Sequence, residues 1–382
     1  MSQFVRRITH LARPIASRLS QLDLELTERC NNDCIHCCIN LRANDVTTLR
    51  REMTTGQVKE ILRQAADLGC LQVRFTGGEP LLRVDFEELY LFARRLGMTV
   101  LLYTNGCLIN SRLAALFARV PPRVEIEITV YGMRAESYET VTRVPGSFAQ
   151  FRRGISFLNE YHVPFVVKCA LLPPNRAEMD EFEDPAMPWK LTRPSYSMGF
   201  ELRSRRDDLA KNRLIESLRV RPQESIAVVL RDAGRYRPWT LELMNDQLRP
   251  PGDTLFACGA PTGQTACVDA YGRLQPCLGI RAPEFTVDIT GAPLHDALAQ
   301  FGRLSEMRAA NPEYLRRCAR CLLKTMCEQC PGKSWTEHGI FDAPVEYLCA
   351  MTHAWARYLG WLGDGEHGWE VDEWKESKAA IG

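Results

Sequence analysis

The chain has no stretch approaching the roughly 20 uninterrupted apolar residues of a membrane span. It has no secretory h-region either, so nothing marks it for export. Its charges almost cancel: 48 Lys and Arg stand against 47 Asp and Glu, a formal net charge of +1. No bulk field therefore favours nucleic acid or an anionic membrane. Internal repeats, low-complexity runs and a convincing acid–base pair for conventional proton-transfer catalysis are all missing. These absences point to a cytoplasmic protein with no membrane and no nucleic-acid partner. A leading stretch with Arg6, Arg7, Arg13 and Arg18 and apolar residues at Phe4, Ile8, Leu11, Ile15 and Leu19 is amphipathic. Transit peptides look similar; the reading adopted is an N-terminal arm over 1–20.

What the chain has in excess is cysteine. Fifteen are present, clustered at 30–38, 258–277 and 318–349. A secreted disulfide scaffold is normally short, so clustered cysteines in a 382-residue chain without a signal peptide point to metal. Cys30, Cys34 and Cys37 are spaced C-x3-C-x2-C, with Cys38 directly behind. Three thiolates can hold three irons of a [4Fe–4S] cube and leave the fourth open for chemistry. Zinc would want four ligands, or three and water. His36 lies inside the loop and reads as a supporting residue. Cys38 points the other way from Cys37 and reads as a small buried hydrophobe.

Around this loop the pattern alternates. Strand-like segments "LDLEL" (22–26), "LQVRFTGGEP" (71–80), "MTVLLYTNG" (98–106), "RVEIEITVYG" (123–132) and "PFVVKCALLPPN" (164–175) are interleaved with helical ones at 54–69, 85–97, 111–120 and 147–162. The first helix carries Thr54 and Gln57 as a capping box and Gly69 as a stop. "GFELRSR" (199–205) is expected to supply a sixth strand. The fold class is α/β: a partial (β/α)6 barrel, about three quarters of the usual eight units, with a cysteine-rich C-terminal domain. The cysteine triplet, the Gly77-Gly78-Glu79-Pro80 turn and Thr104-Asn105-Gly106 follow strands one, two and three, and so share one rim.

"CNNDCIHC" resembles the signature loop of radical S-adenosylmethionine (radical SAM) enzymes, and "TGGEP" their GGE motif. The resemblance implies a [4Fe–4S] cluster on Cys30, Cys34 and Cys37. Its open iron would chelate SAM, and SAM cleavage would give a 5′-deoxyadenosyl radical that takes a substrate hydrogen. Gly77, Gly78 and Glu79 would accept from the SAM ammonium; Pro80, Asn105, Thr129 and Arg143 are further cofactor-binding candidates. Tyr131 and Lys168 are weaker ones. Flavodoxin- or ferredoxin-like proteins are the implied electron donors.

The later spacing is Cys258-x13-Gly272-x4-Cys277, then Cys318-x2-Cys321-x5-Cys327-x2-Cys330, then Cys349. It resembles the SPASM domain, an extension carrying two auxiliary [4Fe–4S] clusters on radical SAM enzymes that modify peptides and proteins. Many members have one more residue between the cysteines at 327 and 330. By that resemblance Cys318, Cys321, Cys327 and Cys349 would hold the outer cluster, and Cys258, Cys277 and Cys330 the inner one. The fourth inner ligand is Cys267 or an open site. Cys70 and Cys169 read as buried small residues, and Cys107 as a low-ranking hydrogen or electron donor.

The expected organisation is an arm (1–20), a radical SAM core (21–205), a bridge (206–252), a SPASM domain (253–355) and a C-terminal extension (356–382). The expected function is oxidative modification, such as crosslinking, of a ribosomal precursor peptide. Rivals are a formylglycine-forming sulfatase maturase, a redox-cofactor peptide enzyme, a SPASM enzyme on a small-molecule substrate, and a zinc-stabilised non-catalytic binding protein. About 20 residues before strand one are too few for a leader-binding domain, so a separate leader-peptide-binding protein is an expected partner.

Overall fold

The structure, a computed structural model, describes residues 19–203, 205–231 and 252–371. Nearly all of the expected arm, the end of the bridge and the tail of the C-terminal extension lie outside the described residues. Six strands run parallel in chain order: β1 (Gln21–Thr27), β2 (Gln72–Gly77), β3 (Thr99–Thr104), β4 (Ile126–Val130), β5 (Phe165–Ala170) and β6 (Lys190–Ser197). Helices Thr55–Asp67, Phe86–Arg95, Ser111–Arg119 and Ser147–Glu160 return the chain between them. The result is the expected partial barrel of βα units.

Period-two patterning decides which face is which. Leu22, Leu24 and Leu26 are fully buried against the helices, in one core with Phe75, Leu102, Ile128 and Val167. The alternate residues of β1, Asp23, Glu25 and Thr27, therefore face inward. The first helix is built as its sequence dictates. Thr54 and Gln57 close a capping box, and Val58, Ile61, Leu62 and Ala65 form the buried stripe.

The sixth strand is a correction. It lies at Lys190–Ser197, not at 199–205. Pro194 makes the true segment look unlike a strand, because it offers no N–H to a ladder. The strand tolerates it at the outer edge of the sheet.

The C-terminal block joins the barrel rather than hanging from it. β7 (Thr265–Val268) adds in parallel to the other edge of β1, with Gln21 opposite Thr265 and Leu24 opposite Val268. Antiparallel β8 (Arg273–Gln275) and β9 (Val287–Asp288) extend the sheet to nine strands. The hairpin turns because Asp269 accepts from the backbone N–H groups of Tyr271 and Arg273, at 2.9 and 3.1 Å. Val268, Leu274, Ile280 and Phe285 belong to the same hydrophobic core as β1. The expected helical bridge is present as Leu209–Leu218 and Pro222–Leu230.

One helix position tests this packing. A Cβ on Gly154 would stand 2.1 Å from the carbonyl oxygen of Gly106, in the turn after β3. Gly154→Ala must push the helix Ser147–Glu160 off that turn. The expected loss is about 1–3 kcal/mol in an anaerobic denaturant titration. An unchanged midpoint would refute the close approach.

Candidate active site: three groups of cysteines at the barrel mouth

Just past the end of β1, Arg29–Cys30 pairs with Leu41–Arg42 and closes the cysteine loop. Several contacts fix that loop. Asp33 N–H donates to Thr142 O (2.9 Å) and Ile35 N–H to Val141 O (3.0 Å), so a helix end holds the backbone. Arg143, in a left-handed conformation at φ 55°, donates Nε to Asp33 O (2.8 Å) and pairs with its carboxylate (2.6 Å). Lys211 Nζ donates to Cys34 O at 2.8 Å. Arg29 is tied to Glu52 at 2.9 Å.

Cys30, Cys34 and Cys37 crowd one another. Burial first, then the nearby thiols, push the Cys30 and Cys34 thiols far above their ordinary value; Glu79 adds to this at Cys30. Such thiols deprotonate when a cationic guest takes them as ligands, so metal loading here releases protons. Asn32 N–H and Asn105 Nδ2 point at Cys30 Sγ, at 3.4 and 3.7 Å. N–H groups aimed at sulfur are what tunes an iron–sulfur cluster. The donor set therefore fits one. Among the described residues, no group of three or more His, Cys, Asp or Glu is placed to hold a single metal ion.

In the Gly-Gly-Glu-Pro turn the glycines also allow a close backbone approach. Gly78 N–H donates to Thr27 O (2.7 Å) and Glu79 N–H to Arg29 O (2.9 Å). A Cβ on Gly77 would lie 2.1 Å from Thr27 O, and one on Gly78 would lie 2.3 Å from Arg29 O. The glycines let the turn lock onto the backbone that leads into Cys30. Glu79 is fully buried. It accepts from the Thr104 hydroxyl (2.8 Å), Asn105 N–H (2.8 Å) and Leu81 N–H (3.1 Å). Burial outweighs those bonds and pushes its carboxyl up to about 7. Asn105 completes the tie, with Nδ2 on Asn31 Oδ1 and Oδ1 accepting from Cys107 N–H, both at 2.9 Å.

Other candidates fall into place around this core. Thr129 sits opposite Lys168 in register, and buried Ile128, Val130, Val167 and Cys169 leave both on the inner face. That settles Lys168 as inward. His36 is packed between Phe200 and Tyr131, with ring centroids 4.9 and 5.7 Å away, and burial lowers it to about 4, so it is neutral. Cys107 is buried beside the Tyr138 hydroxyl (3.8 Å), and burial pushes its thiol up to about 11. Cys70 and Cys169 are buried. Burial first, then Cys37 and Glu201, push the Cys38 thiol up.

The later cysteines form two groups. Cys318, Cys321, Cys327 and Cys349 line one pocket with His353 and Trp369. Arg317 Nη2 and His353 Nδ1 approach Cys349 Sγ at 3.4 and 3.5 Å. Cys277 feels both Cys330 and exposed Cys258. Lys333 N–H points at Cys330 Sγ at 3.4 Å, at the start of helix Pro331–His338. Cys267, fully buried on β7, stands instead among Glu25, Arg281, Asp23 and Asp269. Sequence reasoning passed over His353, whose only signal is its place one helical turn after Cys349. It also passed over Trp369, Glu201 and Lys333. Lys333 pairs with Glu328 at 2.5 Å and lies 3.8 Å from Glu201.

Comparison with known proteins agrees with this geometry. Residues 24–184 match the Radical SAM superfamily. A probable GTP 3′,8-cyclase of Methanosarcina mazei is 28% identical over 306 residues, 78% of this chain and 88% of that one. A PqqA peptide cyclase of Xanthomonas euvesicatoria is 46% identical over 83 residues, 22% of each chain. The fold matches crystalline SuiB of Streptococcus suis bound to precursor peptide SuiA, with a TM-score of 0.61 at 17% identity, over 87% of this chain and 76% of that one. Over residues 24–184 the chain is similar to the radical SAM enzymes, and this likeness to enzymes argues against the non-catalytic zinc alternative. The matched family implies SAM and a [4Fe–4S] cluster. No helix among the described residues is long and apolar enough to cross a membrane.

The N–H groups aimed at Cys30 carry a consequence. They stabilise the extra electron of a reduced cluster. Asn105→Ala should therefore lower the cluster's reduction potential in an EPR-monitored redox titration. An unchanged or higher potential would show that the 3.7 Å contact does not persist in the loaded protein.

Proposed function

We propose that this radical SAM enzyme is a peptide maturase whose C-terminal cysteines hold two auxiliary iron–sulfur clusters. In this reading Cys30, Cys34 and Cys37 bind the cluster that takes SAM. When bound, that cluster supplies the electron that cleaves SAM, giving a 5′-deoxyadenosyl radical that abstracts hydrogen from the substrate. The observation that carries the reading is a short bridge. Cys38, next to Cys37, feels Glu201, and Glu201 also acts on Cys277 and Cys330. His36 of the triplet loop packs 4.9 Å from Phe200, and the next residue, Glu201, lies 3.8 Å from Lys333, whose backbone N–H points at Cys330 Sγ, so Phe200 and Glu201 link the triplet loop to the inner group. A substrate held there meets hydrogen abstraction on one side and an electron acceptor on the other.

The chain's own residues shape that space. The inner face of the barrel is polar: Arg74 bridges Asp23 at 3.0 Å and stacks 4.9 Å from the Tyr103 ring centre. Gly77, Gly78, Glu79 and Pro80 hold the rim on which SAM would lie; Asn105, Thr129 and Arg143 are the candidate contacts around it. His36, Tyr131 and Phe200 wall one side and keep water off the thiols. Peptide substrates are supported by the PqqA cyclase and SuiB likenesses. A flavodoxin- or ferredoxin-like donor and a separate leader-binding protein fit the reading. A small-molecule substrate is the second reading, supported by the long alignment to a GTP cyclase.

Anaerobic reconstitution separates the three groups. The expected content is about twelve irons per chain, four for each of three clusters. Removing Cys318 and Cys321 together should take away about four of them and leave deoxyadenosine formation with dithionite in place. Cys30→Ala should abolish deoxyadenosine. Only four irons in the wild type would remove the auxiliary clusters from the account. Zinc without iron would remove the whole proposal.

A further inference from the structure

Three acids and three arginines line the seam where β1 meets the C-terminal hairpin. Arg281 pairs with Glu25; Arg205 pairs with Glu28 and, at 3.1 Å, with Asp269; Arg273 pairs with Asp269 at 2.8 Å. The Tyr271 hydroxyl donates to Glu28 at 2.6 Å. The charges of this seam balance. Its hydrogen bonds do not.

The Arg281 side chain is 2% exposed, yet its Nε and Nη1 have no hydrogen-bond partner. The Glu28 oxygen nearest Nη1 is 4.0 Å away, beyond hydrogen-bond reach. Glu25, whose side chain is 1% exposed, leaves Oε2 unpartnered. Gln275 Oε1 is unpartnered as well, at the end of the cross-strand row Asp23, Cys267, Gln275. Buried donors and acceptors are normally satisfied, and bare ones mark a missing guest.

Arg281 follows Cys277 by four residues, and Glu25 precedes Cys30 by five at the end of β1. Glu25 lies on the inward face of β1, three residues before the Glu28 that leads into the cysteine loop, and Arg281 pairs with it from the segment that follows Cys277, so the pair joins the wall of the barrel to the inner cysteine segment.

We infer that Arg281 and Glu25 clamp an amide group of the substrate. Its carbonyl accepts from Arg281 Nε or Nη1, and its N–H donates to Glu25 Oε2, with Gln275 Oε1 as a flanking acceptor. A carboxylate would satisfy the arginine alone and add a negative charge beside Glu25 and Glu28. An ammonium would satisfy Glu25 alone and press against Arg281. A neutral group carrying both a donor and an acceptor suits both residues without disturbing the balance of charge. The inference rests on the peptide reading and deepens it. A main-chain amide and an Asn or Gln carboxamide share this chemistry. Arg281 is here a positioning residue: it holds the substrate and does not react.

Four probes of similar size test it on the anaerobically reconstituted, SAM-loaded protein by ligand-observed NMR: N-methylpropionamide, propionamide, methyl propionate and propionate. The expected result is an amide at least about five-fold tighter than the ester and than the anion, the scale of one hydrogen bond. Preference for the secondary amide assigns a main-chain group; preference for the primary amide assigns a carboxamide. Arg281→Lys, which keeps the charge pair with Glu25 and so the fold, should erase the preference, as should Arg281→Gln if it folds. The proposal is overturned by tightest binding of propionate, by equal or absent binding of all four, or by an unchanged preference in the lysine variant. It is also overturned if SAM affinity falls in step with amide affinity, which would assign the guanidinium to SAM. Failure of the radical SAM reading itself would show separately, as a reduced-cluster EPR signal that ignores SAM.

Discussion

Everything at the barrel mouth depends on one backbone contact: the turn after β2 pressed against the backbone that leaves β1. Gly78 and Glu79 donate to Thr27 O and Arg29 O at 2.7 and 2.9 Å. No side chain fits between them. The residue that follows Arg29 is Cys30. The carboxylate of Glu79 then reaches the third strand end, through Thr104 and Asn105. Three loops that each carry a candidate cofactor contact are thereby fixed to one another by the chain's own hydrogen bonds. That is pre-organisation of the kind a reactive radical requires, because a loosely held substrate or cofactor would let the radical react elsewhere.

A second constraint is the polarity of the inner face. A barrel filled with apolar layers would be a core; this one carries Asp23, Arg74, Glu25 and Lys168 on inward positions. The C-terminal hairpin completes that polar lining by extending the sheet from β1, so that Arg281 and Asp269 come to face the barrel's own acids. The C-terminal block is thus part of the chamber wall, and Glu201, next to the Phe200 that packs on His36, reaches Lys333 beside the inner cysteines.

Much of this could be read from the sequence, for definable reasons. The capping box at Thr54 and Gln57, the apolar alternation in β1 and the hairpin near Gly272 are local signals, and the local structure follows them. The cysteine spacings are equally local. What escaped is what depends on tertiary contact. β6 was hidden by Pro194, which only an edge strand tolerates. The two glycines press against the backbone that leaves β1, a contact between strands that no local signal shows. Trp369 lies beyond the last cysteine in what reads as a polar extension, yet it closes the pocket of the outer group.

The central claim is a cluster held by three thiols with one iron free for SAM. Electron–nuclear double resonance on the reduced, reconstituted protein with SAM labelled in its amino nitrogen and carboxylate oxygen tests it most directly. The account predicts hyperfine coupling from both labels to the cluster held by Cys30, Cys34 and Cys37, lost in Cys34→Ala. A reduced cluster with no coupling to either label would contradict it.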